Sequence, residues 1–180
     1  MGLSSDNLST AYTKGSLTTG EMHKFRYLVK NDVGWSGASP IMTTYAAVEP
    51  AQIIGATTQI DPVDPTLALL EWSAPSYDGG LGIIAYQIKI GTSDGTYHEL
   101  LSTCDGALPA IRDAYECNVA LTDLQAAPFT LEQGNKIQIT VTATSLVGSS
   151  DPSIPNTSAA LLERAPHQPP VAPTKNSATT

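Results

Sequence analysis

The sequence predicts an all-β fold of short antiparallel strands. Three observations carry that reading: apolar and polar residues alternate with period 2, turn residues recur at short intervals, and no helical period is sustained. In order along the chain, Lys24–Lys30 places Phe25, Tyr27 and Val29 on one face. Leu67 to Trp72 is apolar on both faces, with Ala68, Leu70 and Trp72 on one and Leu67 and Leu69 on the other. Trp72 is expected in the core, and the Leu67 and Leu69 face is a candidate partner contact. Ile84–Ile90 alternates Ile84, Tyr86, Ile88 and Ile90 with Ala85, Gln87 and Lys89, and 136–143 alternates Ile137, Ile139, Val141 and Ala143 with polar residues. Such alternation marks strands with one buried face. Asp78-Gly79-Gly80, Ser93-Asp94-Gly95, Asp105-Gly106, Gln133-Gly134-Asn135 and Val147-Gly148-Ser149 supply the turns between strands. Ala159–Arg164 is too short for a helix before the Pro-rich Ala165–Pro173 and reads as a strand end leading into an extended connector.

Composition removes other classes. Of the 180 residues, 41% are apolar, enough for a packed core, and only 14% are charged, too few for a coiled coil. A net charge of −8 opposes nucleic-acid binding, which needs clustered Lys and Arg to neutralise phosphates. No apolar run approaches the ~20 residues of a membrane span. Met1–Asp6 lacks the basic and apolar regions of a signal peptide.

The chain repeats itself. Leu17, Gly20, Gly34 and Ser36 recur as Leu131, Gly134, Gly148 and Ser150, each 114 residues later, and Phe25, Tyr27 and Val29 fall on Ile139, Val141 and Ala143. Pro50 and the 51–58 stretch match 166–174 at a slightly longer offset. The expected organisation is the back end of one repeat over 1–47, a complete repeat over 48–160, and the opening of a third over 161–180.

These residues resemble fibronectin type III repeats. The features that match are Trp72 with Pro75 on strand B, Gly79-Gly80 before strand C, Tyr86 on strand C, and the strand-F pattern Leu-x-x-Gly, alternating apolar residues, then Gly-x-Ser, present from Leu17 to Ser36 and from Leu131 to Ser150. The resemblance implies a seven-stranded immunoglobulin-like antiparallel sandwich, A, B and E packed on C, C′, F and G. The family asparagine after strand F is kept as Asn31 and replaced by Ser145. The tyrosine of the family's E–F corner is replaced by His23, placed to supply the corner bond, and by Ile137, which leaves packing alone to hold the corner. The stretch from Tyr97 to Leu131 is similar to the cysteine-bearing variety of these repeats in large cell-surface proteins of ciliates and other protists.

Cys104 and Cys117 lie at the end of one expected strand and inside the next, so a bridge is geometrically reasonable, with two unrelated buried thiols as the other reading. The protist resemblance favours a disulfide. Asn7-Leu-Ser and Asn156-Thr-Ser are glycosylation acceptors by pattern, and with the disulfide they point to an extracellular or cell-surface location.

Catalytic chemistry finds little support. His23, His98 and His167 are scattered without zinc spacing, and neither a phosphate-binding glycine loop nor a nucleophile elbow occurs. Asp61-Pro-Val-Asp-Pro65 with Asp78 offers the oxygens calcium takes, but the proline spacing reads more simply as a kinked link between strands A and B. Trp35 is either stacked on a Lys or Arg of strand F or exposed at a bend. No enzyme, cofactor or metal is therefore expected. The expected role is a structural or adhesive module of a tandem-repeat surface or filament-forming protein. Its partners are other repeats of the same or neighbouring chains, including completion of the partial first repeat by strand addition. A ligand-binding receptor ectodomain, a spacer in a secreted enzyme and an intracellular array are the alternatives.

Overall fold

The computed structural model describes residues 10–163. Its eight strands and two short helices run, in chain order, β1 (Met22–Phe25), β2 (Met42–Tyr45), β3 (Thr57–Ile60), β4 (Leu67–Glu71), β5 (Ala85–Gly91), β6 (Tyr97–His98), α1 (Pro109–Arg112), β7 (Glu116–Ala120), α2 (Leu121–Gln125) and β8 (Ile139–Thr144). Two three-stranded antiparallel sheets, β3-β4-β7 and β6-β5-β8, face each other, while β1 and β2 pair as a separate hairpin. In family terms these sheets are A-B-E and C′-C-F, the order the resemblance implies.

Alternation decides which side chains meet between the sheets. Ala68 and Leu70 of β4, followed by Trp72, and Cys117 and Val119 of β7 face Tyr86, Ile88 and Ile90 of β5 and Ile139, Val141 and Ala143 of β8, all buried. The β5–β8 register opposes Ile88 to Val141 and Tyr86 to Ala143. Trp72 and Tyr86 meet edge-on, ring centroids 5.6 Å apart, and Tyr86 meets Tyr115 the same way at 5.9 Å. Ile84 departs from its expected place: it precedes β5, is 42% exposed, and is held through its backbone, its N–H donating to the Thr144 carbonyl and its carbonyl accepting from Arg112.

Neither helix is legible in the sequence, because four or five residues cannot display a 3.6-residue period. Pro109 starts α1, where its missing N–H costs nothing. Leu124 of α2 is fully buried and closes the end of the core with Phe129.

The seventh strand differs from expectation. Residues 149–162 run beside β8 but form only isolated bridges, Thr144 with Ser149 and Lys136 with Leu161. Pro152 and Pro155 lie in this segment and bring no N–H to a ladder. Side-chain oxygens substitute. The N–H groups of Ala143, Val141 and Ile139 donate to Ser150 Oγ (3.0 Å), Ser153 Oγ (3.0 Å) and Asn156 Oδ1 (2.8 Å). In return the Ser150 and Ser153 N–H groups donate to the Ala143 and Val141 carbonyls.

The E–F corner is not held by packing alone. Ile137 is fully buried, and Thr58 Oγ1 on β3 donates to its carbonyl at 2.8 Å. The same oxygen accepts from Asn156 Nδ2 at 2.9 Å and from the Ala160 N–H at 3.0 Å. One buried hydroxyl thus ties three segments. Replacing Thr58 with Val is expected to destabilise the chain by about 2–3 kcal/mol, because two donors and a carbonyl lose their partner in a buried place, and Thr58→Ser by about 1 kcal/mol or less. Urea unfolding of the two variants beside the parent chain measures the difference.

Candidate protein–protein interface

The β1–β2 hairpin reproduces the hydrogen bonding of β8 and its partner segment at the 114-residue spacing. The Val29 N–H donates to Ser36 Oγ and the Tyr27 N–H to Ser39 Oγ, each at 3.0 Å, as Ala143 and Val141 donate to Ser150 and Ser153. The Ser36 and Ser39 N–H groups return bonds to the Val29 and Tyr27 carbonyls. Hence the regular ladder of β1 stops at Phe25, short of the expected Lys30, although the backbone continues alongside its partner.

The burial is opposite. Val141 and Ala143 are 0% exposed, whereas Tyr27 is 71% and Val29 60% exposed. Met42 on β2 and Val33 at the hairpin tip are also exposed. The face that the complete unit packs beneath β3, β4 and β7 is open here. At the tip, Lys30 Nζ lies 5.6 Å from the Trp35 ring centroid, so the strand-F cation stacks on this indole as one of the two readings of Trp35 required. Among the described residues His23 does not supply a corner bond: its buried Nε2 has no hydrogen-bond partner there and stands 3.9 Å from Glu21 Oε2.

A second contact surface joins the hairpin to the sandwich. The Val48 N–H donates to the Gly79 carbonyl and the Ala51 N–H to the Tyr77 carbonyl. Thr19 and Gly20, in the turn before β1, sit on Gly80: a Cβ added to Gly20 would lie 2.6 Å from the Gly80 carbonyl oxygen, and one added to Gly80 would collide with Thr19 Cγ2. Both glycines also hold positive φ, +86° and +93°, which side chains resist. A Cβ on Gly79 would collide with the Val48 carbonyl, and one on Gly148 would lie 2.6 Å from Glu49 Oε1. Bare backbone on both sides permits this approach.

The other candidate residues are dispersed. Cys104 and Cys117 form a disulfide with Cα atoms 5.4 Å apart, linking the loop after β6 to β7. Asn156 is only 8% exposed and, as described, its Nδ2 donates to Thr58 and its Oδ1 accepts from Ile139. Asn7 and His167 lie outside the described residues. Asp61 Oδ1 accepts from the Val63 and Asp64 N–H groups, Asp64 Oδ1 from Thr66, and Asp78 Oδ1 from the Gly80 N–H, so each orders its own turn. Leu67 and Leu69 are half-buried on the outer face of β4.

A shallow cleft of about 270 Å³ opens beside the B–C turn, lined by Pro75, Asp78, Tyr86, Arg112, Asp113 and Tyr115. Burial pushes the Tyr86 phenol up to about 12, with Tyr115 adding to the effect. Arg112 is paired with Asp113 at 2.8 Å. Among the described residues the cleft offers no unpaired cation; Tyr86 belongs to the core, and Tyr115, 38% exposed, packs edge-on against it.

No protein-family model matches the sequence. Among solved structures, titin domains A168–A170 match at 18% identity over 77% of this chain and 40% of that one, with a TM-score of 0.47. A structure of titin kinase and its flanking domains matches at 18% identity over 59% of this chain and 16% of that one, TM-score 0.42. The sixth fibronectin type III domain of human fibronectin type III domain containing protein 3 matches at 16% identity over 70% of this chain and 95% of that one, TM-score 0.45. This chain thus spans well under half the length of either titin structure. Strand order decides the fold: A-B-E against C′-C-F, with the seventh segment along F. The fold is the fibronectin type III sandwich. Among the described residues no helix is long and apolar enough to cross a membrane.

Two outcomes follow. Intact-mass alkylation should leave both cysteines blocked until reduction, and reduction should cost about 3 kcal/mol for a closed loop of this size. In the turn between β5 and β6, Asp94 accepts from the Thr92 hydroxyl and from the Thr96 N–H and hydroxyl, which pull its carboxyl from 3.8 down to about 2. A depressed folded-state value stabilises above the unfolded one, so this turn's contribution is whole above about pH 4 and is lost as pH falls through 2. A carboxyl NMR titration should place the Asp94 midpoint near 2, and Asp94→Asn should remove the matching shift of the Thr96 amide.

Proposed function

We propose that the chain is a non-catalytic structural module of a tandem-repeat extracellular protein, working through protein–protein contacts. In this reading residues 1–47 end one repeat, 48–160 form a complete one, and 161–180 open the next. The open face of the hairpin carries the proposal. Tyr27 and Val29 hold the positions of Val141 and Ala143 down to the individual hydrogen bond, yet lie in water. Burying an aromatic or branched side chain is worth about 1.5–3 kcal/mol, so this face favours a covering sheet.

What covers it is specified by the complete repeat, where Ala68, Leu70 and Val119 of the opposite sheet and Tyr86 and Ile88 of the adjoining strand enclose the same positions. The partner is accordingly a polypeptide supplying strands A to E of a repeat of this kind, from the same chain or by strand addition from a neighbour. The disulfide supports an oxidising compartment at the cell surface or beyond it, since such bonds are rare in reducing cytosol. The burial of Asn156 supports a structural role for that side chain, leaving Asn7 as the sequon for a glycan.

The open face should bind a hydrophobic dye and drive concentration-dependent association in sedimentation. Replacing Tyr27 and Val29 with Ser together should abolish both while leaving the thermal transition of the sandwich unchanged. A parent chain that stays monomeric and dye-silent at all concentrations would contradict the proposal.

A further inference from the structure

Charge is divided between the two parts of the described chain. Residues 10–47 carry four Lys and Arg against two carboxylates, whereas residues 48–163 carry three against fourteen. Three of the hairpin's cations share one stripe. Alternation puts Lys24, Arg26, Leu28 and Lys30 on the face opposite Phe25, Tyr27 and Val29, and all four are exposed. The fold does not require cations there, since at the 114-residue spacing the complete unit has Gln138, Thr140, Thr142 and Thr144. Among the described residues neither Lys24 nor Arg26 is in an ion pair. A sheet laid over Tyr27 and Val29 would leave this outer face open.

The opposite imbalance lies on the outer face of the β3-β4-β7 sheet. Leu67, Leu69 and Glu71 of β4 point outward there, half-buried, and Glu71 stands directly across from the exposed Glu116 of β7. Like charges so placed repel. Gln59 Nε2 donates to Glu71 Oε2 at 3.0 Å, but among the described residues neither carboxylate is in an ion pair. The cations of the sandwich are committed elsewhere: Arg112 pairs with Asp113, Lys136 Nζ donates to the Thr157 carbonyl, and Lys89 belongs to the other sheet. The two faces match in order as well as in sign. Leu28 is the next outward residue after Arg26, and Leu69 is the next outward residue before Glu71. A guanidinium laid over Glu71 and Glu116 meets two carboxylates at once, which its fork of donors suits, and Leu28 then covers Leu69.

We infer that the outer face of the hairpin, through Lys24, Arg26 and Leu28, docks on the Leu69, Glu71 and Glu116 face of a second copy of this chain. Each copy carries one of each face, and among the described residues no ion pair joins the two within a chain. The contact is therefore head-to-tail and propagates from copy to copy. Sandwich against sandwich would instead bring the carboxylates together, so charge selects this one arrangement. The inference goes beyond the covering of Tyr27 and Val29 and does not depend on it.

The test is sedimentation of the 180-residue chain carrying Tyr27→Ser and Val29→Ser, which silence the hydrophobic face, at about 0.1 M and about 1 M salt. Charges act over about 10 Å at the lower concentration and about 3 Å at the higher. Concentration-dependent association is expected at the lower salt, weakened about tenfold or more at the higher. The open face alone is read at the higher salt, where this contact is screened. Lys24→Glu with Arg26→Glu should abolish the low-salt association, and so should Glu71→Lys with Glu116→Lys, each at an unchanged melting temperature. Glu116→Lys alone, at the exposed position, should weaken it in the same direction without touching the Gln59 bond. An equimolar mixture of the two reversed chains should associate again, because each hairpin then meets a sheet of opposite sign. No association at 0.1 M, association indifferent to salt, or association that survives reversal of the hairpin would overturn the docking. The tandem-repeat reading, which rests on Tyr27 and Val29, would still stand.

Discussion

The structure depends on satisfying the backbone of strand β8, which lies between β5 and the 149–162 segment. Ile139, Val141 and Ala143 face the core, and an unpaired N–H or C=O beside them would cost as much as a lost hydrogen bond. One edge is met by the β5 ladder. The other meets a proline-bearing segment with no continuous ladder, and Ser150, Ser153 and Asn156 fill the gaps at three-residue intervals. That spacing leaves the residues between free to be proline and to bulge. Asn156 then reaches Thr58, which carries the restraint across to the opposite sheet.

The strands were legible where one face is buried and the other wet. The alternation at Tyr86, Ile88 and Ile90, and at Ile139, Val141 and Ala143, translates directly into burial. The 114-residue repeat was likewise readable, and Ser39 and Ser153 extend it to a pair of hydrogen bonds that apolar matching does not reveal. Less was legible where geometry is non-local. Nothing near Thr58 announces that its hydroxyl meets Ile137, Asn156 and Ala160, because those contacts join residues about eighty to a hundred positions apart. The sequon at Asn156 illustrates the same limit: three residues of pattern carry no information about whether the amide faces solvent. The joint was hidden for another reason, since Gly20, Gly79 and Gly80 read as ordinary turn residues until their mutual approach is seen.

The proposed function rests on what is covered and what is left open. The polar groups that converge inside the sandwich, Thr58 and Asn156, are bonded to each other and to backbone, and the carboxylates of Asp61, Asp64 and Asp78 each cap a turn in their own loop. Among the described residues, the open sheet face of the hairpin has a covered counterpart in the face of β8. That covered copy is the reference on which the proposed tandem-repeat partner rests.

Native-state hydrogen exchange tests that claim most directly, because the two hairpins make the same bonds in different surroundings. The account predicts strong protection at the Val141 and Ala143 amides and rapid exchange at Tyr27 and Val29, despite equal hydrogen-bond lengths of 3.0 Å. Equal protection at the four amides would show that the hairpin needs no covering sheet, and would contradict the account.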